Sequence, residues 1–277
     1  MTRNFDLTHL PVRQEKPRKL GLTMVMDKGL GIRECENLID SSGEFIDIIK
    51  LGFGSSLITP KLEHKLAFFR EAGVPVYFGG TLLEAFIIRG QFEDYLRILD
   101  KFKMEYAEIS DGSITMPHPE KCHYIQRLSK RVTVISEVGS KEEGILIRPG
   151  KWIDMMSSEL EAGAWKVIAE ARESGTVGIY RPNGKAHVML INKIVAKVPA
   201  SKIIWETPQK SQQAYFIKHF GADVNLGNIA PHEVIALETL RLGLRSDTFF
   251  QYLDHSMLNS KPLASSGQNK KPTVKPL

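Results

Sequence analysis

Four short apolar runs each reach a glutamate: YAEIS contains Glu108, VTVISEV contains Glu137, WKVIAEA contains Glu170 and KIIWE ends on Glu206. Basic residues stand at or just beyond the ends of these and similar runs, as Lys28, Lys50, Lys141, Arg172 and Lys210. A single charge at such a place is usually the chain reaching water, or an ion pair that only holds the fold. Repeated at run after run, the charges suit a shared site in which carboxylate oxygens hold a hard divalent cation and Lys and Arg hold an anion. A polyanionic substrate bound with Mg2+ is therefore preferred here over a ring of purely structural ion pairs.

Charges scattered along a chain share a site only if the fold gathers them. Eight β-rich runs read as strands: 20–26, 45–51, 74–78, 106–110, 132–138, 165–171, 202–206 and 223–226. Between them, stretches such as KLEHKLAFFREAG, FEDYLRILDKF and WIDMMSSELEAG space apolar residues three and four apart, as helices with one buried face do. Glycine closes three helical runs just ahead of a strand, at Gly73, Gly163 and Gly221, where a left-handed cap feeds a tight turn. The alternation predicts an α/β fold, a closed (β/α)8 barrel in one domain. An open doubly wound sheet is the alternative, but no G-x-G-x-x-G follows the first strand.

In such a barrel the chemistry lies at the C-terminal strand ends. The first run supplies Asp27 and Lys28 there, the second Lys50, and the eighth Asn225 and Asn228. The seventh continues as T-P-Q-K, with Thr207 expected as helix N-cap, Pro208 in the first turn, and Gln209 and Lys210 as anion contacts. Glycines at 52, 54, 79, 80, 112, 139 and 175 follow the runs directly and would let backbone N–H groups approach an anion.

The 277 residues carry a net charge of +5, but it belongs to the ends. Residues 1–19 hold five basic and two acidic side chains, residues 254–277 four and one, each +3, which leaves 20–253 at −1. That distribution argues against a nucleic-acid binder. Residues 1–19 read as an N-terminal extension, 20–253 as the barrel, and 254–277, rich in Ser, Pro and Lys, as a disordered basic tail. No apolar run has the length of a membrane span or signal segment, so a cytoplasmic protein is expected. Cys35 and Cys122 stand apart, as reduced structural thiols would.

The strings MDKGL, KLGFGSS, YFGGTLLE, EISDGS, SEVGSK, ARESG, ETPQKSQQ, VNLGNIA and ETLRLGLRSDTF closely resemble the phosphosulfolactate synthase family of coenzyme M biosynthesis, from about residue 18 to 250. The resemblance implies a (β/α)8 barrel, Mg2+ dependence, a homotrimer, and Michael-type addition of sulfite to phosphoenolpyruvate. It implies Lys141 as the acid, with Glu137 beside it, although Ser140 stands where relatives commonly have a base. Lys28, Lys50, Arg172 and Lys210, with Gln209, Asn225 and Asn228, would then bind substrate anions. Glu108, Glu170, Glu206 and Asp27 would compete for metal. Two alternatives stay open: a barrel enzyme adding another nucleophile to phosphoenolpyruvate, and a non-catalytic member like the plant heat-stress-associated relatives.

Overall fold

The structure, a computed structural model, describes residues 4–139, 147–171 and 174–258. Lys141, Arg172 and the run 259–277 lie outside the described residues. The strands are β1 Thr23–Asp27, β2 Ile48–Leu51, β3 Val76–Phe78, β4 Tyr106–Ile109, β5 Thr133–Val138, β6 Lys166–Ala169, β7 Ile203–Glu206 and β8 Leu226–Ile229. The helices are α1 Ile32–Ser42, α2 Leu62–Glu71, α3 Gly80–Ile87, α4 Phe92–Lys101, α5 His118–Leu128, α6 Pro149–Glu161, α7 Val188–Val195, α8 Lys210–Phe220, α9 Val234–Arg241 and α10 His255–Leu258. No helix among the described residues is long and apolar enough to cross a membrane.

All eight expected strands are present, and the strands pair in the order β3-β2-β1-β8-β7-β6-β5-β4. That order runs steadily around a ring without the reversal of a doubly wound sheet, which makes the fold a nearly closed (β/α)8 barrel. The ladders are parallel, as in Met26 opposite Lys50 and Glu137 opposite Ile168, and a helix between successive strands supplies each crossover. Only β3 and β4 share no ladder. At that seam the Gly80 N–H, just past β3, donates to Glu108 Oε1 on β4 at 2.7 Å.

Strand periodicity layers the interior. Met24, Ile48, Tyr77, Ile135, Ile168 and Ile204 form a buried cluster of their own, with Tyr106 and Trp165 packed against it. Two residues further along their strands come Met26, Lys50, Gly79, Glu137, Glu170 and Glu206, with Glu108 two beyond Tyr106. Side chains two apart share a face, so an apolar floor carries a charged layer on its C-terminal side. Outward-facing Val25, Ile49, Val134, Val167 and Trp205 join the larger core beneath the helices.

Strand β8 starts at Leu226, three residues later than its expected start at 223, because the polar residues ahead of it are committed below the sheet. Asn225 accepts from the Leu22 N–H at 3.2 Å and donates to Ile203 O at 3.0 Å. Nearby, arginines close the N-terminal end. Fully buried Arg241 donates to Ala222 O at 2.5 Å, Val224 O at 2.7 Å and Leu22 O at 3.1 Å. Arg13 reaches Gly21 O at 3.0 Å and pairs with Glu238 at 3.0 Å and with Asp223. These carbonyls precede the strands, where only Leu22 O among them also accepts from a strand N–H, that of Leu226 at 2.8 Å, and a guanidinium satisfies several at once.

Candidate active site

A cavity of about 500 Å³ opens at the C-terminal end of the barrel, lined by Lys50, Glu108, Glu137, Glu170, Glu206 and Asn228, with Met26, Phe53, Gly79, Thr81, Ser113 and Ser174. Its centre is one buried lysine. The Lys50 ammonium lies 2.9 Å from Glu108 Oε2, 3.2 Å from Glu137 Oε2 and 3.8 Å from Glu206 Oε1. The carboxylates are themselves anchored: Glu108 by the Gly80 N–H, and Glu206 by the Ala171 N–H at 2.9 Å.

Three carboxylates around one ammonium leave an excess of negative charge, and the titration of the group reflects it. Burial works against the Lys50 charge, yet Glu108 and Glu137 outweigh it and hold the lysine well above its ordinary range. Burial, then repulsion from Glu137, pushes Glu206 up to about 7 despite Lys50. Burial and Glu108 also raise the Tyr77 phenol beneath them. A positive charge brought beside Glu206 would favour its ionised form, with the proton passing to solvent.

Carboxylate oxygens are the hard donors Mg2+ takes, and it commonly needs only one or two of them beside water and substrate oxygens. Among the described residues no three His, Cys, Asp or Glu side chains are grouped to cage an ion. The set fits a cation shared with substrate and solvent.

The strands decide which expected residues reach this cavity. Glu108, Glu137, Glu170, Glu206, Lys50 and Asn228 do. Asn228 arrives through a fault in the ladder: its φ is +56°, in the left-handed region that Asn tolerates better than most residues, and the β1–β8 register shifts alongside it. Its Oδ1 is buried without a hydrogen-bond partner. Gln209 lies beside the cavity rather than in its wall, donating to Ser174 O at 2.6 Å and so holding a lining residue.

Four other expected residues do not line this cavity. Asp27 follows inward-facing Met26 and so points outward, where it meets Lys65 at 2.5 Å and accepts from the Gly29 and Leu30 N–H groups. Lys28 lies 6.0 Å from the centre of the Phe53 ring and lines a neighbouring cavity that shares only the Met26 and Asn228 walls. Lys210 pairs with Asp247 at 2.6 Å, outside the cavity wall. Asn225 belongs to the opposite end of the barrel, since β8 begins after it. Thr207 does not cap α8 either; Gln209 is the N-cap residue, and its N–H donates to Gln212 Oε1 at 3.1 Å. Ser113 and Ser174 escaped notice because short polar loop residues carry no periodic signal, although the DGS string at 111–113 marked a strand end.

Fold and site together define a (β/α)8 barrel enzyme with an acidic, lysine-centred mouth. The sequence profile described as (2R)-phospho-3-sulfolactate synthase (ComA) matches residues 11–247, and the chain belongs to that family. It is 41% identical over 250 residues to a phosphosulfolactate synthase of Bacillus subtilis, covering 89% of this chain and 99% of that one. A phosphosulfolactate synthase of Methanothermobacter thermautotrophicus is also 41% identical, over 86% of this chain and 95% of its own. The Arabidopsis thaliana protein HEAT-STRESS-ASSOCIATED 32 is 24% identical over 83% of this chain and 88% of its own. Among solved structures, 3-hexulose-6-phosphate synthase from Salmonella typhimurium superposes with a TM-score of 0.54 at 12% identity, covering 81% of this chain and all of that one. That likeness concerns the barrel alone.

Proposed function

We propose that this chain joins sulfite to phosphoenolpyruvate to give (2R)-phospho-3-sulfolactate, as a carbon–sulfur bond-forming lyase. The observation that carries the reading is the Lys50 ammonium, held charged on the floor of a cavity walled by Glu108, Glu137, Glu170 and Glu206. Membership of the family supplies the substrates. The sulfur lone pair attacks the methylene carbon of phosphoenolpyruvate, and the double-bond electrons move toward the carboxylate. A proton then adds to the carbon bearing phosphate, completing the product without loss of any group.

In this reading Lys50 faces the growing negative charge, and a fixed ammonium in a dry site stabilises such charge strongly. Its three carboxylate partners keep it in place and protonated. Lys141, by resemblance, delivers the proton. Glu170 and Glu206 would hold Mg2+, which when bound would supply positive charge to stabilise the growing negative charge. Asn228 offers an amide to a substrate oxygen. A homotrimer and a cytoplasmic location are proposed on the same family grounds.

Purified protein incubated with phosphoenolpyruvate, sulfite and Mg2+ should form phosphosulfolactate, read by mass spectrometry. Absence of a sulfite-dependent product would overturn the proposal. The higher identity to the two synthases than to the Arabidopsis protein favours the enzymatic reading.

A further inference from the structure

The β4–β5 ladder ends with Ile109 opposite Ser136. One residue later, the carbonyl of Glu137 extends past the end of β4, and a side chain from outside the barrel takes it. Lys121, buried on α5, places its ammonium 2.6 Å from that oxygen. The same ammonium lies 3.0 Å from Asp111 Oδ1 and 3.0 Å from Glu159 Oε1. Its three N–H groups thus face three acceptors. Glu159, buried on α6, accepts with its other oxygen from the Ser136 hydroxyl at 2.5 Å. Burial opposes the lysine's charge, but Glu159 and Asp111 outweigh it and raise its pKa.

None of these groups lines the cavity. A buried ion pair often stabilises a fold no better than apolar packing does, so the network calls for another role. Its contacts supply one. Asp111 shares a loop with cavity-lining Ser113, and Glu137 carries the carboxylate that meets Lys50. We propose that Lys121 is a positioning residue of the active site: from behind the wall it holds the Glu137 main chain and the Asp111 loop, and so sets the contact between Glu137 and Lys50. The kinetic consequence rests on the sulfite-addition reading; the geometric one does not.

Lys121→Met keeps an unbranched side chain and removes the ammonium. With phosphoenolpyruvate, sulfite and Mg2+, its kcat should fall by about 10- to 100-fold, as removal of supporting groups around a site commonly does. KM for phosphoenolpyruvate should change far less. In crystals, the Glu137 carboxylate should leave the 3.2 Å contact with Lys50 seen here, and Lys121→Arg should restore it in part, together with part of kcat. A folded Lys121→Met protein with wild-type kcat, or with that contact intact, overturns the inference. So does lowered thermal stability with an unchanged kcat. If the wild-type protein makes no sulfite-dependent product, the reaction assignment fails, while the position of Glu137 still decides this inference. Should Lys121→Met not fold, Asp111→Asn, whose side chain is partly exposed, decides it by the same two readouts.

Discussion

Lys50 and Glu206 bear opposite consequences of the same crowding. Replacing Lys50 by Met leaves Glu108, Glu137 and Glu206 buried around no cation. Removing one partner of a buried pair costs about 3–5 kcal/mol, so chemical denaturation should show a loss of that order, and turnover should vanish with it. Glu206 works the other way. Its folded pKa of about 7 lies above the value near 4.3 of an unfolded glutamate. The contribution of the protonated carboxyl is therefore full below the unfolded value and is lost as pH rises through about 7. In metal-free buffer, the Tm of wild-type protein should fall relative to that of Glu206→Gln between about pH 5 and about pH 8. Parallel Tm curves for the two proteins would contradict the assignment.

Two joints in the barrel make the mouth. At the β3–β4 seam, a Cβ on Gly80 would overlap the Ser110 hydroxyl and come within 3.0 Å of Glu108 Oε1. Gly80→Ala should separate the seam at Glu108, lowering both stability and turnover, with the loss in Tm readable by calorimetry. On β8 the left-handed Asn228 can be dissected by two variants. Glycine accepts a φ of +56° without strain, so Asn228→Gly should keep stability within about 1 kcal/mol and lose activity with the amide. Asn228→Val meets the steric penalty of about 1–2 kcal/mol as well, and its denaturation midpoint should fall below that of the glycine variant.

For the barrel as a body, the two ends divide the labour. The mouth gathers four glutamates about one lysine, whereas the N-terminal end is closed by arginines on carbonyls. Arg241→Met would remove one donor from the carbonyls of Ala222, Val224 and Leu22, of which Ala222 keeps Arg13 and Leu22 keeps the Leu226 N–H. A cost of about 3–5 kcal/mol follows from breaking such a buried charged network, while kcat of the protein that remains folded should stay at the wild-type value. Deleting residues 1–19 removes Arg13 and Arg18, both buried, and should lower Tm by unsealing the same end. A deletion with unchanged Tm would show that the seal is dispensable.

Much of the site was legible before any coordinates, and the reason is local. A strand alternates its faces with a period of two, so an inward isoleucine announces an inward residue two places on: Ile48 announces Lys50, Ile135 Glu137, Ile168 Glu170 and Ile204 Glu206. By the same rule Asp27, one place after inward Met26, faces outward, although a strand end by itself does not reveal which residue is the inward one. Pairings between distant segments lie beyond such a rule. That Lys50 meets Glu108, Glu137 and Glu206, that Lys210 meets Asp247, and that Lys121 meets the carbonyl of Glu137 depends on ring closure and register. Periodicity orients a side chain, but only the packed barrel, by fixing how far one strand slides past the next, chooses its partner.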